Sequence, residues 1–379
     1  MKITQKHWTE GSGWETLFNN GAEGHAQLVF VFGDSNILRR QELIQEIKHF
    51  FPQARLVGCS TAGEIIGSHV FDNSLTVTAV FFENTKLKFA EAALNSMEES
   101  FAVGQKLAET LDHNELSHVF VLSEGLNVNG SDLAKGLRSK LPPNVAVTGG
   151  LAGDQDRFKK TLVFLDNVSE NNTVAVIGFY GSSLRIGYGS RGGWDSFGPD
   201  RQVTRSKANI LYELDGQPAL ELYKKYLGEQ AKGLPATGLL FPLSLSLDDS
   251  GKRLVRTILS VNEADGSMTF AGDVPEGNYA RLMKASFERL VDGAAESAKQ
   301  SQETGSPAPE LAVLVSCVGR KLVLKQRVDE EVESVQDALG PDATLTGFYS
   351  YGEICHVGAG EKQPELHNQT MTITTFSEK

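Results

Sequence analysis

The sequence predicts an α/β protein with mixed sheets, built from pseudo-repeated strand–helix–strand units. Three stretches of the chain each contain an apolar strand, a helix and a short second strand, and each ends in a glycine followed by an acid. Strand–helix–strand units favour parallel pairing, whereas the strand-rich middle of the chain argues against a purely parallel sheet. The three endings read VGCSTAGE at 57–64, VTGGLAGD at 147–154 and TGFYSYGE at 346–353.

The first unit shows why each element is predicted. The run HAQLVFVF at 25–32 is short, β-branched and aromatic, which is typical of a buried strand. In Arg39–Phe50 the apolar residues have the spacing of one helix face, and Pro52 follows the expected end. The same reasoning predicts strands at 55–57, 75–82, 118–122, 145–147, 173–180, 311–318 and 370–376, and helices at 131–141 and 329–339.

A different pattern separates the second unit from the third. Leu184–Trp194 and Gln202–Leu214 are strand-like, and 213–228 predicts a turn followed by a helix. A hairpin is expected at 253–270, with its turn at Asp265-Gly266, and Glu276–Ala298 is expected to be a helix. These elements indicate a strand-rich region between the second and third units.

Composition and charge narrow the function classes. The chain has 379 residues, of which 40% are hydrophobic and 22% charged, so a sizeable core is expected. Its 48 acidic against 36 basic residues give a formal net charge of −12, which argues against nucleic-acid binding. Three cysteines do not make a disulfide framework, and the apolar run at 173–180 is too short to insert in a membrane. A cytoplasmic location is therefore expected.

Five segments in order carry a family resemblance. The chain resembles the bacterial FIST proteins, in which a FIST N domain precedes a FIST C domain. The resemblance implies an N-terminal extension at 1–24, a FIST N domain at 25–217 and a FIST C domain at 218–379. The segments are GCSTAGEI at 58–65, GGLAGD at 149–154, ELDGQPALELYKKYLG at 213–228, FAGDVPEGNYARLM at 270–283, and GFYSYGEI at 347–354 with LHNQTMTI at 366–373.

The resemblance implies a sensory, ligand-binding role in signal transduction, and not an enzyme. One branch of the family, the nitric-oxide-sensing NosP proteins, binds haem and works beside a separate histidine kinase. A protein of that type would hold haem b non-covalently, bind nitric oxide, regulate a sensor histidine kinase and be able to form a homo-oligomer. The alternative is a binding module for a small metabolite, such as an amino acid, without haem.

The glycine–acid turns supply candidate ligand contacts. Glycine at a strand end permits close approach of a ligand, and the neighbouring acids and hydroxyls suit an ammonium or hydroxylated ligand. The other interpretation is that the acids only bind nearby backbone amides. The candidates are Ser60, Glu64, Asp154, Ser350 and Glu353. The first and third units are expected to pack together, with the turns at 58–65 and 347–354 lining one cleft.

Two histidines near the C-terminus are the candidate cofactor ligands. His356 follows the third glycine–acid motif, and His367 lies eleven residues further on. Imidazole is a common axial ligand of haem, so His356 is the first candidate for the iron and His367 the second. Cys355 offers a thiolate alternative. The competing interpretation is that each imidazole only bonds a backbone group at a strand end.

Overall fold

The computed structural model describes residues 1–246, 253–303, 308–356 and 363–378. Its architecture is mixed α/β, as predicted, and the three predicted units are present. The first unit has a parallel strand pair joined by a helix, followed by an antiparallel strand. Its elements are β1 (Lys2–Thr9), β2 (Gly13–Asn19), β3 (Leu28–Gly33), α1 (Ser35–Leu38), α2 (Gln41–Phe50), β4 (Arg55–Ser60), β5 (Glu64–Ile66), β6 (His69–Phe71) and β7 (Ser74–Phe81).

The second and third units repeat this order, with a parallel pair in each. The second contains β8 (Lys86–Ala93), α3 (Ser100–Thr110), β9 (Leu116–Ser123), α4 (Gly130–Lys140), β10 (Ala146–Leu151), β11 (Val163–Leu165) and β12 (Thr173–Tyr180). An insertion follows the first strand of the third unit, β13 (Leu184–Arg191). It comprises β14 (Asp195–Lys207), β15 (Ile210–Leu214), β16 (Gln217–Pro218), α5 (Ala219–Leu227), β17 (Leu243–Ser246), β18 (Arg253–Arg256), β19 (Ile258–Asn262), β20 (Ser267–Phe270) and β21 (Tyr279–Lys284). The unit then ends with α6 (Phe287–Glu303), β22 (Leu311–Cys317), α7 (Val318–Leu324), α8 (Val328–Leu339), β23 (Thr344–Ser350), β24 (Gly352–His356), β25 (Pro364–His367) and β26 (Met371–Glu378).

The three units exchange strands in a ring. After its glycine–acid motif, each unit sends a short strand into the sheet of another unit. Strand β5 pairs with β23, β24 pairs with β10, and β11 pairs with β4. The sheet orders are accordingly β11-β4-β3-β7-β1-β2, β25-β24-β10-β9-β12-β8 and β13-β26-β22-β23-β5-β6. This pairing gives the fold an approximate threefold arrangement and confirms that the first and third units pack together.

The inner faces of the three sheets meet in one aromatic core. Strand alternation sorts the side chains of β3, because Phe30 and Phe32 enter this core while Val29 and Val31 pack outward with α2. Rings from different units are in contact: Phe30 lies 5.6 Å from Phe120, and Phe32 lies 4.8 Å from Phe348, between ring centroids. The centre of the ring is therefore filled by side chains.

The inserted strands form a fourth sheet beside this core, in the order β18-β17-β21-β14-β15-β20-β19, with β16 paired to β15. One predicted element here is wrong: the helix expected at 276–298 begins only at Phe287, because Tyr279–Lys284 is strand β21. Strand β21 pairs with both β14 and β17, and this long-range pairing outweighs local helix propensity. The residues predicted as an N-terminal extension, 1–24, include β1, which pairs with β7 along its whole length.

Candidate ligand-binding cleft

The carboxyl ends of the three parallel strand pairs lie at one end of the ring, where α/β proteins commonly bind ligands. The glycine–acid turns follow these strands, and their predicted ligand-contact residues are all buried. Glu64 accepts hydrogen bonds from the hydroxyls of Thr61 (2.5 Å) and Ser74 (2.7 Å). Glu353 accepts equivalent bonds from Ser350 (2.7 Å) and Thr370 (2.9 Å). Burial raises the pKa of each carboxyl to about 8.

Asp154 occupies a different environment at the corresponding turn of the second unit. It accepts hydrogen bonds from Ser35 Oγ (2.8 Å) and from Arg157 Nη2 (2.7 Å), which also reaches Asp34. Burial alone would raise the pKa of Asp154, but these bonds outweigh it and the pKa lies below its ordinary value. Ser60 Oγ donates to the carbonyl of Gly153 at 2.7 Å. The five candidates thus have partners within the protein, and their contact with a ligand stays a prediction.

His356 and His367 are also buried, at 2% and 5% exposure. Nε2 of His356 accepts a hydrogen bond from the backbone N–H of Val147 at 3.0 Å. Nε2 of His367 donates to the carbonyl of Cys355 at 3.1 Å, and burial lowers the pKa of His367 to about 4. The Cys355 thiol is buried as well, which raises its pKa to about 12 and disfavours a thiolate.

A haem does not fit these residues in the conformation described. An axial imidazole needs a nitrogen lone pair that faces an open cavity, whereas the Nε2 lone pair of His356 already accepts a peptide N–H. Neither histidine lines the cavities found at the fourth sheet. Within the described ranges, moreover, no three His, Cys, Asp or Glu side chains are grouped so that they could hold a metal ion.

A cleft opens instead between the ring and the fourth sheet. Its larger part has a volume of about 770 Å³ and its inner part about 70 Å³, and the two share four residues: Leu126, Phe158, Leu239 and Leu259. We call this space the composite cleft. Of the two turns predicted to line one cleft, 58–65 and 347–354, only the second reaches it, through Tyr351. The lining of the larger part also includes Asp156, Gly233, Leu234, Pro235, Thr237, Leu240, Ile258 and Leu322.

An aromatic pair forms one wall of the composite cleft. The rings of Phe158 and Tyr351 are stacked, with centroids 4.4 Å apart and planes 12° apart. Phe158 has a φ of 49°, a left-handed conformation that is unfavourable for a bulky residue. The Tyr351 hydroxyl holds this turn, since it accepts from Phe158 N and donates to the carbonyl of Gln155. The side chain of Phe158 is nevertheless 37% exposed, so the turn presents an aromatic face to the cleft.

A polar atom without a partner belongs to the inner end of the cleft. Oγ1 of Thr257, a residue that lines this end, has no hydrogen-bond partner among the described residues. Nδ2 of Asn368 is also unpaired, but Asn368 lies behind Thr257, whose backbone N–H its Oδ1 faces, and does not line the cleft. Buried polar groups normally have partners, so the Thr257 hydroxyl is suited to bind a polar group of a ligand. A mainly apolar wall with such a polar end is typical of small-molecule sites.

Sequence reasoning missed this cleft because its walls come from segments far apart in the chain. The one local signal is Phe158, a lone aromatic residue in the charged loop DQDRFKK at 154–160. Single exposed apolar residues are common on protein surfaces, so this signal was too weak to indicate a site.

The fold and cleft define a ligand-binding α/β protein, and the comparisons with known proteins give its family. The FIST N domain model matches residues 27–217 and the FIST C domain model matches residues 219–356. The chain belongs to the FIST family, whose domains are sensory, ligand-binding modules of signal transduction. No helix in the described part of the chain is long and apolar enough to cross a membrane.

Relatives with curated sequences carry no assigned activity. An uncharacterised protein of Methanocaldococcus jannaschii is 26% identical over 348 residues, which cover 82% of this chain and 63% of the relative. The chain thus spans less than two thirds of that relative's length. An uncharacterised protein of Mycobacterium tuberculosis is 23% identical over 352 residues, covering 88% of this chain and 87% of the relative. Among solved structures, a cyanuric acid hydrolase from A. caulinodans aligns with 94% of this chain and 90% of its own, at 8% identity and a TM-score of 0.32.

Proposed function

We propose that this protein is a sensor module whose ligand, a small molecule with a mainly apolar body, occupies the composite cleft. The observation that carries the proposal is the apolar cavity of about 770 Å³ between the ring and the fourth sheet. That volume lies within the range of small-molecule sites, about 300–1,000 Å³. Phe158 and Tyr351 suit a flat or aromatic part of the ligand, and Thr257 suits a polar end.

The location of the cleft suits a sensory role. One wall belongs to the ring and the other to the fourth sheet, so a ligand in the cleft contacts both bodies. A ligand shifts an equilibrium between two arrangements only if it binds one of them better. Contact with both walls supplies that difference, because it favours the arrangement in which the walls are close together.

A binding role without catalysis is also part of the proposal. Cys317 lines the inner part of the cleft, but burial raises the pKa of its thiol, which keeps the sulfur protonated and a poor nucleophile. Among the described residues that line the larger part of the cleft, Asp156 is the one with a charged side chain. This set lacks the neighbouring base that would activate a nucleophile.

The experiment is a titration with 1-anilinonaphthalene-8-sulfonate, a dye that fluoresces in apolar cavities. Leu259→Asn places an amide in the wall of the cleft, and Leu17→Asn is the control, since the two leucines are similarly exposed at 45% and 50%. We expect the first variant to bind the dye several-fold more weakly than the wild type and the second to bind it equally well. Equal titrations for both variants would remove the composite cleft as the ligand site.

The same protein preparation tests the haem interpretation. Haem and nitric oxide sensing with regulation of a histidine kinase, if Nε2 of His356 held the iron, would require His356 to release the N–H of Val147. Purified protein is supplied with haem, and its absorbance is recorded with and without nitric oxide. A Soret band that is lost in His356→Ala would restore the haem sensor. Dye binding in the cleft without a Soret band supports the small-ligand module.

A further inference from the structure

A second cavity, of about 170 Å³, lies on the other side of the strand that leads into the composite cleft. It lies between helix α4 and the fourth sheet and is partly open to solvent. Arg256 ends β18 and lines this cavity, whereas the next three residues, Thr257 to Leu259, line the composite cleft. Its lining includes the polar residues Arg256, Ser131, Asp273 and Glu365 and the apolar residues Leu245 and Leu254.

Arg256 is a buried cation that Glu365 and Asp273 stabilise only through space, without a direct ion pair. The residue is 4% exposed, and its hydrogen bonds go to backbone carbonyls: Nε to Asp273 at 3.1 Å and Nη1 to Leu366 at 2.8 Å. It forms no ion pair with any carboxylate in the described part of the chain. A buried charge is costly unless it is paired, so the guanidinium is suited to receive an anion from outside.

A second polar residue, Ser131, lines the same cavity. Ser131 lies in the first turn of α4 and is 2% exposed, and its Oγ has no hydrogen-bond partner among the described residues. The positive end of the helix dipole also favours an anion at this turn. Asp273, the acid beside Arg256, is already engaged, because it accepts from Lys135 Nζ at 3.0 Å and from Asn129 Nδ2 at 3.2 Å.

We propose that this cavity binds a short-chain carboxylate, whose charged end accepts hydrogen bonds from Arg256 and Ser131 and whose hydrocarbon end packs on Leu245, Leu254 and Pro275. A monoanion would give the guanidinium the direct ion pair that it lacks, at the cost of one added charge near the two acids of the lining. A phosphate dianion would place a further charge near Asp273 and Glu365, which line the same cavity. The apolar residues of the lining have no role toward an inorganic anion, whereas they suit a short alkyl chain.

The experiment measures binding of sodium butyrate by calorimetry at constant ionic strength, with acetate, phosphate and chloride as further probes. We expect butyrate to bind more tightly than acetate, and phosphate and chloride to give no saturable heat. Ser131→Ala should weaken butyrate binding about tenfold, the value of a hydrogen bond to a charged group. It should not lower the stability of the ligand-free protein, because the hydroxyl makes no bond there. Ser139→Ala on the same helix is the control, since its Oγ bonds Gly136 O at 2.7 Å outside the cavity.

Arg256→Met should abolish butyrate binding in protein that retains the wild-type circular dichroism. If this variant does not fold, the comparison of Ser131→Ala with Ser139→Ala decides alone. Equal butyrate affinity in those two variants would overturn the proposal, as would phosphate binding more tightly than butyrate. The dye titration of the composite cleft is independent of these measurements, so either proposal can fail without the other.

Discussion

Glu353 and its counterpart Glu64 show how a repeated acid serves the fold. Each carboxyl follows a glycine and accepts a hydrogen bond from the hydroxyl of the residue three positions earlier. Each also accepts a second hydrogen bond, from a hydroxyl at the start of the next long strand (Ser74) or immediately before that strand (Thr370). The sequence pattern predicted acids at turns, and it left open whether they bind a ligand or the protein. Burial and hydroxyl partners are tertiary properties, and for that reason no local pattern could decide between the two.

The raised pKa of Glu353 gives a prediction about pH. Burial raises it to about 8 in the folded protein, above its ordinary value of 4.5. Between these two pH values the folded state therefore keeps a proton on Glu353 that the unfolded state releases. The contribution of Glu353 to the free energy of unfolding is accordingly complete below pH 4.5 and is lost as the pH rises toward about 8. Glu353→Gln should make the fall in unfolding free energy over this range shallower, by up to about 1.4 kcal/mol per pH unit. Urea unfolding at a series of pH values measures these slopes.

The control for this pH experiment is Glu109→Gln, which changes an exposed carboxylate on α3 that pairs with Lys140. Its unfolding free energy should follow the wild-type slope. A Glu353→Gln variant that also follows the wild-type slope would mean that Glu353 is ionised in the folded protein.

At the scale of elements, the three parallel strand pairs require glycine at the same register position. Gly149 lies opposite Val121 and Gly347 lies opposite Leu314, in the same register as Gly58 opposite Val31. A Cβ at Gly149 or Gly347 would lie 1.9 Å from the carbonyl oxygen of the opposing residue. The sequence pattern showed that glycine recurs in the motifs. The reason, close approach of two backbones, is visible only once the strands are paired.

Gly347→Ala should therefore destabilise the protein strongly. The added methyl group cannot be accommodated unless β23 moves away from β22, and both strands belong to the buried third sheet. We expect a loss of about 3 kcal/mol or more in the free energy of unfolding, measured by urea denaturation. Gly11→Ala is the control, since nothing lies within 4 Å of the added Cβ, and its effect should stay within about 0.5 kcal/mol. Equal stability of the two variants would contradict the pairing described for β22 and β23.

Elements with a strong local sequence pattern were predictable, whereas elements whose conformation depends on pairing with distant strands were not. Thr173–Tyr180 was predicted with its observed bounds, because it is a continuous apolar run, as expected of a strand buried on both faces. Helix α3 was missed, and β21 was taken for a helix, because Tyr279–Lys284 owes its strand conformation to β14 and β17. The composite cleft depends on the placement of the fourth sheet, which no segment of the sequence specifies alone.

At the scale of the whole molecule, the two FIST segments share sheets. Strand β5 of the N-terminal segment extends the sheet of β23, and β24 of the C-terminal segment extends the sheet of β10. Strand β13, which lies before the end of the FIST N match, pairs with β26 near the C-terminus. The aromatic core also takes side chains from both segments. The family boundary near residue 217 is thus not a boundary between independently buried cores.

We therefore expect the fragment 1–217 not to fold alone. Without the C-terminal segment, β5 and β13 lose their partners β23 and β26, and Phe32 loses its contact with Phe348. Unpaired strand edges and an exposed core favour aggregation over a cooperative fold. The full chain should unfold in one urea transition, whereas fragment 1–217 should show none, and co-expression with fragment 218–379 should restore the transition. A fragment 1–217 that unfolds cooperatively by itself, with the near-ultraviolet circular dichroism of packed aromatic rings, would show that the first two units form a core without the third. The shared sheets would then join two separately stable bodies, and the composite cleft would lie beside a hinge between them.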